Sequence, residues 1–157
     1  MATVAGGLAI LVASFWLTLK VTDAPQYGAT RVDFDLALAA DGFTLSNSII
    51  GSIDGIQRDP GGRLQLTGWA FDKELAPQPV AVLVLVGKRF QQIAVTSGSR
   101  PDVTASLKES PEQTRNVAFT GLTSQRVDCG PHTVVAVNQN KHLTVLSADL
   151  MVPHCAS

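Results

Sequence analysis

Val80-Ala81-Val82-Leu83-Val84-Leu85-Val86 carries no polar residue at any position. A strand with one face in water alternates apolar and polar side chains, so this run reads as a strand covered on both faces, at the centre of a sheet. Pro77-Gln78-Pro79 closes it on the N-terminal side. Outwards from Val80–Gly87, further strands are expected at Ser48–Ile56, Arg63–Phe71, Phe90–Thr96, Asn116–Leu122, His132–Asn138 and His142–Ala148. The groups Asp41-Gly42, Asp59-Pro60-Gly61-Gly62 and Cys129-Gly130-Pro131 serve as turns. Along Arg31–Ala39, Val32, Phe34, Leu36 and Leu38 alternate with Asp33, Asp35, Ala37 and Ala39, the period of a half-buried strand. In Arg100–Lys108, Pro101 suits the first helical position and Asp102 the positive helix end, which predicts a helix of one or two turns. Seven or eight short strands with one short helix predict an all-β sandwich, and 157 residues suffice for one such domain with a core.

The N-terminus has a different character. Ala2 to Leu19 is free of charge and, as a helix, reaches about 27 Å, enough to span a bilayer core. A cleaved secretory signal is the competing reading; Val12-Ala13-Ser14 would serve as its cleavage triplet, but no basic residue precedes the apolar run. We expect an uncleaved single-pass transmembrane anchor over residues 1–20, a linker over 21–29 and the sandwich domain over 30–157. Ala5, Ala9 and Ala13, with Gly6 beside them, leave one helix face nearly bare, which allows close helix packing in lipid. Lys20 and Arg31 nominally favour a cytoplasmic domain. Two cysteines in an all-β domain with few lysines favour a periplasmic one.

In Leu64-Gln65-Leu66-Thr67-Gly68-Trp69-Ala70-Phe71, strict alternation places the leucines on one face and the aromatic residues on the other. A β-bulge at Gly68 would bring Trp69 and Phe71 into the core beside the leucines, which is the arrangement we expect. Without it both rings are exposed and free to stack on sugars or fill a partner's pocket.

Gly-Trp-Ala-Phe-Asp at Gly68–Asp72, Arg-Pro-Asp-Val at Arg100–Val103, Ala-Phe-Thr-Gly at Ala118–Gly121 and the closing Cys129–Ala136 together resemble the Ig-like β-sandwich modules of bacterial envelope and membrane proteins. The resemblance covers about Ile49 to Val152; residues 30–47 fall outside it. It implies a sandwich with Trp69 in its core and Arg100-Pro101-Asp102 at a strand-to-helix turn, an exported location, and no shared enzymatic activity.

Twelve basic against thirteen acidic residues leave a net charge of -1, without the basic patch that nucleic acid requires. No zinc-protease, phosphate-loop or nucleophile-elbow spacing occurs, and no cofactor is expected. His132 and His142 would neighbour each other only across the last hairpin, a chance set rather than a ligand spacing. Asp72 and Glu74, with Arg100 and Asp102 from another loop, could form a binding loop for calcium or a sugar, or could fix turns and pair with each other. Cys129 and Cys155 could form a disulfide. A hairpin turning near Asn140 puts Cys129 opposite about residue 150, so the alternative is two free thiols. These features predict a non-enzymatic accessory protein anchored in the bilayer, its sandwich on the periplasmic side of a larger membrane complex. The alternative is a glycan-binding module using Trp69, Phe71 and the Asp72–Glu74 loop.

Overall fold

The computed structural model describes residues 42–86 and 89–153. The expected anchor with Ala5, Gly6, Ala9 and Ala13, the linker, the strand at Arg31–Ala39, and Cys155 lie outside the described residues. The elements are β1 (Thr44–Leu45), β2 (Ile49–Arg58), β3 (Leu64–Asp72), β4 (Ala81–Val86), β5 (Arg89–Val95), α1 (Pro101–Leu107), β6 (Ala118–Leu122), β7 (Pro131–Val137) and β8 (His142–Met151). They form a five-stranded sheet in the order β1-β8-β7-β4-β5 and a three-stranded sheet in the order β2-β3-β6. β1 runs parallel to β8; every other pair is antiparallel.

The two sheets face each other across a shared core, as in a β-sandwich. Leu64, Leu66 and Phe119 from one sheet meet Val82, Val84, Val134 and Leu150 from the other. At one end Ile49 and Ala70 continue this layer against Val80 and Ala136. Buried threonines pin strand ends: Leu64 N–H donates to Thr123 Oγ1 at 2.9 Å and Val80 N–H to Thr96 Oγ1 at 2.8 Å. The fully apolar β4 lies inside its sheet, as its composition requires, but β7 holds the middle position. Val82 and Val84 point into the sandwich, while Leu83 and Leu85 belong to a cluster on the opposite face.

α1 begins at Pro101 after an extended Arg100 and ends at Lys108 in the left-handed region, as the helix signals predict. It covers the outer face of the three-stranded sheet, where Val103 packs with Phe71 and Val117. That cover corrects the expected bulge in β3. β3 keeps its alternation through Gly68, so Leu64 and Leu66 face the inter-sheet core while Phe71 and Trp69 pack in the satellite core beside α1. Both faces of β3 are thus occupied without any change of register. Gly68 serves another purpose: a Cβ there would stand 2.8 Å from Phe119 Cζ and 2.2 Å from Ser52 O, so its absence lets the phenyl ring cross the strand.

The bulge lies in β2 instead, between Ile53 and Gly55. Ile53 and Ile56 are three residues apart, yet both pack on the inter-sheet core. One extra residue, Asp54, is what allows two side chains at that spacing to share a face. Among the described residues no helix is long and apolar enough to cross a membrane.

Candidate functional site

Two polar groups contain the residues singled out in the sequence, and they occupy different places. The first is centred on Arg100, at the start of α1. Its Nε and Nη2 donate to the two oxygens of Asp102 at 2.9 and 2.7 Å, and its Nη1 donates to Asp54 Oδ2 at 2.7 Å. The bulge turns Asp54 out of β2 toward the helix, and the guanidinium fork bridges it to Asp102. Hydrogen bonds from Arg100 lower the Asp102 carboxyl from the ordinary 3.8 to about 2. Bonds to Asp102, then Asp54, raise the guanidinium further above its already high value. With three of its nitrogens engaged, Arg100 acts as a fastener between α1 and β2.

The second group sits at the end of β3. Asp72 is buried; its Oδ1 accepts the Glu74 N–H at 2.9 Å, a local turn bond, and its Oδ2 accepts from Asn138 Nδ2 at 2.6 Å. Asn138 follows β7 in the other sheet, so this buried pair ties the two sheets together. Asn138 Oδ1 also accepts N–H bonds from Asn140 at 2.9 Å and His142 at 3.0 Å, which shape the β7–β8 turn. The Glu74 carboxylate is exposed, with Oε2 3.8 Å from His142 Nδ1.

Asp72 pairs with Ile49, five residues along β2 from Asp54, a separation of roughly 17 Å along the strand. Asp72, Glu74, Arg100 and Asp102 therefore do not converge on one loop; each pair serves its own part of the framework. Phe71 is 5% exposed and Asp72 1% exposed, so neither is presented to a sugar. Trp69 is half-buried against the α1 cluster.

His132 is buried, with Nδ1 3.2 Å from Leu85 O and Nε2 2.8 Å from Asp128 O. Both ring nitrogens are engaged by the backbone. His132 and His142 are not brought together: His132 pairs with Leu150 at the open end of the hairpin, whereas His142 adjoins its turn. Among the described residues no group of three His, Cys, Asp or Glu side chains could hold a metal ion.

Cys129 is disulfide-bonded. The register of the last hairpin is irregular near Cys129. Val135 pairs with Val145, but two irregularities take up extra residues of β8, so that Pro131 pairs with Met151.

Asp54 and Asn138 were not among the expected site residues, although both left signals. A charged residue and a glycine between isoleucines three apart mark a bulge, and Asn138 begins a polar four-residue turn. On the surface, Leu45, Ser46, Asn47, Thr144 and Val145 line a shallow groove where β1 leaves β8. Leu45 and Val145 are its exposed apolar members. No protein-family model and no curated protein matches the chain.

Proposed function

We propose that this protein is a non-enzymatic, membrane-anchored accessory protein whose sandwich, of the Ig-like kind, packs on a larger membrane complex at the periplasmic side. The observation that carries the reading is the uncharged stretch Ala2–Leu19 ahead of the sandwich, with Ala5, Gly6, Ala9 and Ala13 offering a face of small side chains for helix contact in lipid. The described domain supports it in two ways. Its singled-out charges are used internally: Arg100 with Asp54 and Asp102, and Asp72 with Asn138. Its groove at Leu45 and Val145 gives a partner an apolar contact with polar neighbours in Ser46, Asn47 and Thr144.

The test has two arms. Protease added to intact spheroplasts should digest the sandwich, and detergent extraction should recover the full-length chain with a membrane partner. Ala9→Leu should weaken that association. A chain that loses its first residues on export, or that runs alone and is indifferent to Ala9→Leu, would refute the reading.

A further inference from the structure

Arg63, Arg100 and Arg115 each pair with a carboxylate at 2.6–2.7 Å: Asp59, Asp54 with Asp102, and Glu112. Among the described residues Arg58 and Arg126 pair with none, and the fold anchors these two on the same spot.

Arg58 ends β2. Its register partner Leu64 is fully buried, so the Arg58 stem lies on the same inward face, at the end of the inter-sheet core. Its Nη2 donates to Val127 O at 3.3 Å. Its Nε is buried without a partner, so one long bond is all that holds this guanidinium, and Nη1 has no acceptor among the described residues. Arg126 comes from the segment between β6 and β7, and its stem lies across Gly62. A Cβ on Gly62 would meet Arg126 Cγ at 2.8 Å and Nε at 3.2 Å. Gly62 O in turn accepts the Val127 N–H at 2.9 Å. Both cations are therefore fixed to one contact, that of Val127 with Gly62.

The carboxylates of the two turns that meet here do not neutralise them. Asp59 is taken up by Arg63, its Oδ1 accepting the backbone N–H at 2.8 Å and its Oδ2 accepting from Nε at 2.7 Å. Asp128 follows Val127 but forms no ion pair with either arginine; its carbonyl oxygen lies 2.8 Å from His132 Nε2.

We propose that Arg58 and Arg126 form a binding site for a phosphate group, free or as a lipid headgroup. Two uncompensated cations match a phosphate monoester dianion, whose oxygens can accept from two guanidinium groups at once. Arg126 is exposed and open to the ligand, whereas Arg58 is half-buried, where a charge-assisted bond is screened less by water. Leu64 opens β3 and Asp72 closes it, so the site lies at the other end of the sandwich from the Asp72–Asn138 tie. The proposal does not rest on the membrane reading, because free phosphate and a headgroup offer the same oxygens.

The test is an NMR titration of the full chain in phosphatidylcholine bicelles with inorganic phosphate at constant ionic strength, and a second series in bicelles doped with phosphatidic acid. The expected result is a saturable shift of the Gly62 and Val127 amides and of the Arg58 and Arg126 Nε–H signals. Arg126→Gln alters an exposed side chain that the fold does not need. It and Arg58→Gln should each weaken binding about tenfold or more. Arg115→Gln, which removes the same charge elsewhere, should leave binding unchanged. Shifts with inorganic phosphate assign the site to a soluble phosphate, and shifts with phosphatidic acid alone assign it to a headgroup. No saturable shift in either series, or an equal loss in Arg115→Gln, overturns the proposal.

Discussion

Phe71 and Phe43 are equally buried, at 5% exposure, on the outer faces of opposite sheets. The three-stranded sheet closes its outer face with α1, which the chain forms directly between β5 and β6. The five-stranded sheet has Phe43 at one end of a much broader apolar face, whose other buried members lie on β8, β7, β4 and β5. The cover over Phe71 is local and starts at a proline that announces it. A strand apolar on both sides thus says that a second cover exists without saying which part of the chain supplies it.

The largest effect should come from removing the buried phenyl rings of the two outer faces. Phe71→Ala should cost about 3–5 kcal/mol in urea unfolding, and Phe43→Ala a similar amount if both faces are equally sealed. A Phe43→Ala loss below about 1 kcal/mol would break the comparison, since it would mean a face open at that end. Next, Gly68→Ala should destabilise by about 1–3 kcal/mol, because the new methyl meets the Ser52 carbonyl and the Phe119 ring. Phe119→Leu should recover part of that loss if the ring is the main obstacle.

Asn138→Ala and Asp72→Ala should each cost about 1–3 kcal/mol, since each leaves a buried polar partner unmatched. The double variant should lose less than the sum, and strict additivity would argue against a direct tie between the sheets. The smallest effect is at the fastener of α1. Asp102 should titrate near 2 by NMR, and in Arg100→Gln its value should return toward 3.8. Because the folded value is the lower one, the pair's contribution is complete above 3.8 and fades as pH falls toward 2. An Asp102 titration unmoved by Arg100→Gln would show that the fork does not hold α1 in solution.

Much of the sandwich was legible because its signals are local. The alternation in β3, the proline at the start of α1 and the Asp59–Gly62 turn each act over a few residues, and their positions agree with expectation to within a residue or two. β1 is two residues long and has no such signal. The candidate site was only partly legible: the Arg100–Asp102 pair is two residues apart and could be anticipated, but its third member is 46 residues away in sequence. Two aromatic residues in β3 need a cover, which is why the sequence suggests a bulge at Gly68; no local signal places α1 over them.

From its residues alone this chain specifies which stretches extend, where they turn, and that β4 is shielded on both sides, because side-chain periodicity and turn chemistry operate between near neighbours. Strand order, the bulge at Asp54, the Asp72–Asn138 tie and the satellite core around Phe71 were settled only in the folded molecule. The physical reason is range: Asp72 and Asn138 lie 66 residues apart, and a pair that distant has no meaning until the sheets bring its members within hydrogen-bonding distance.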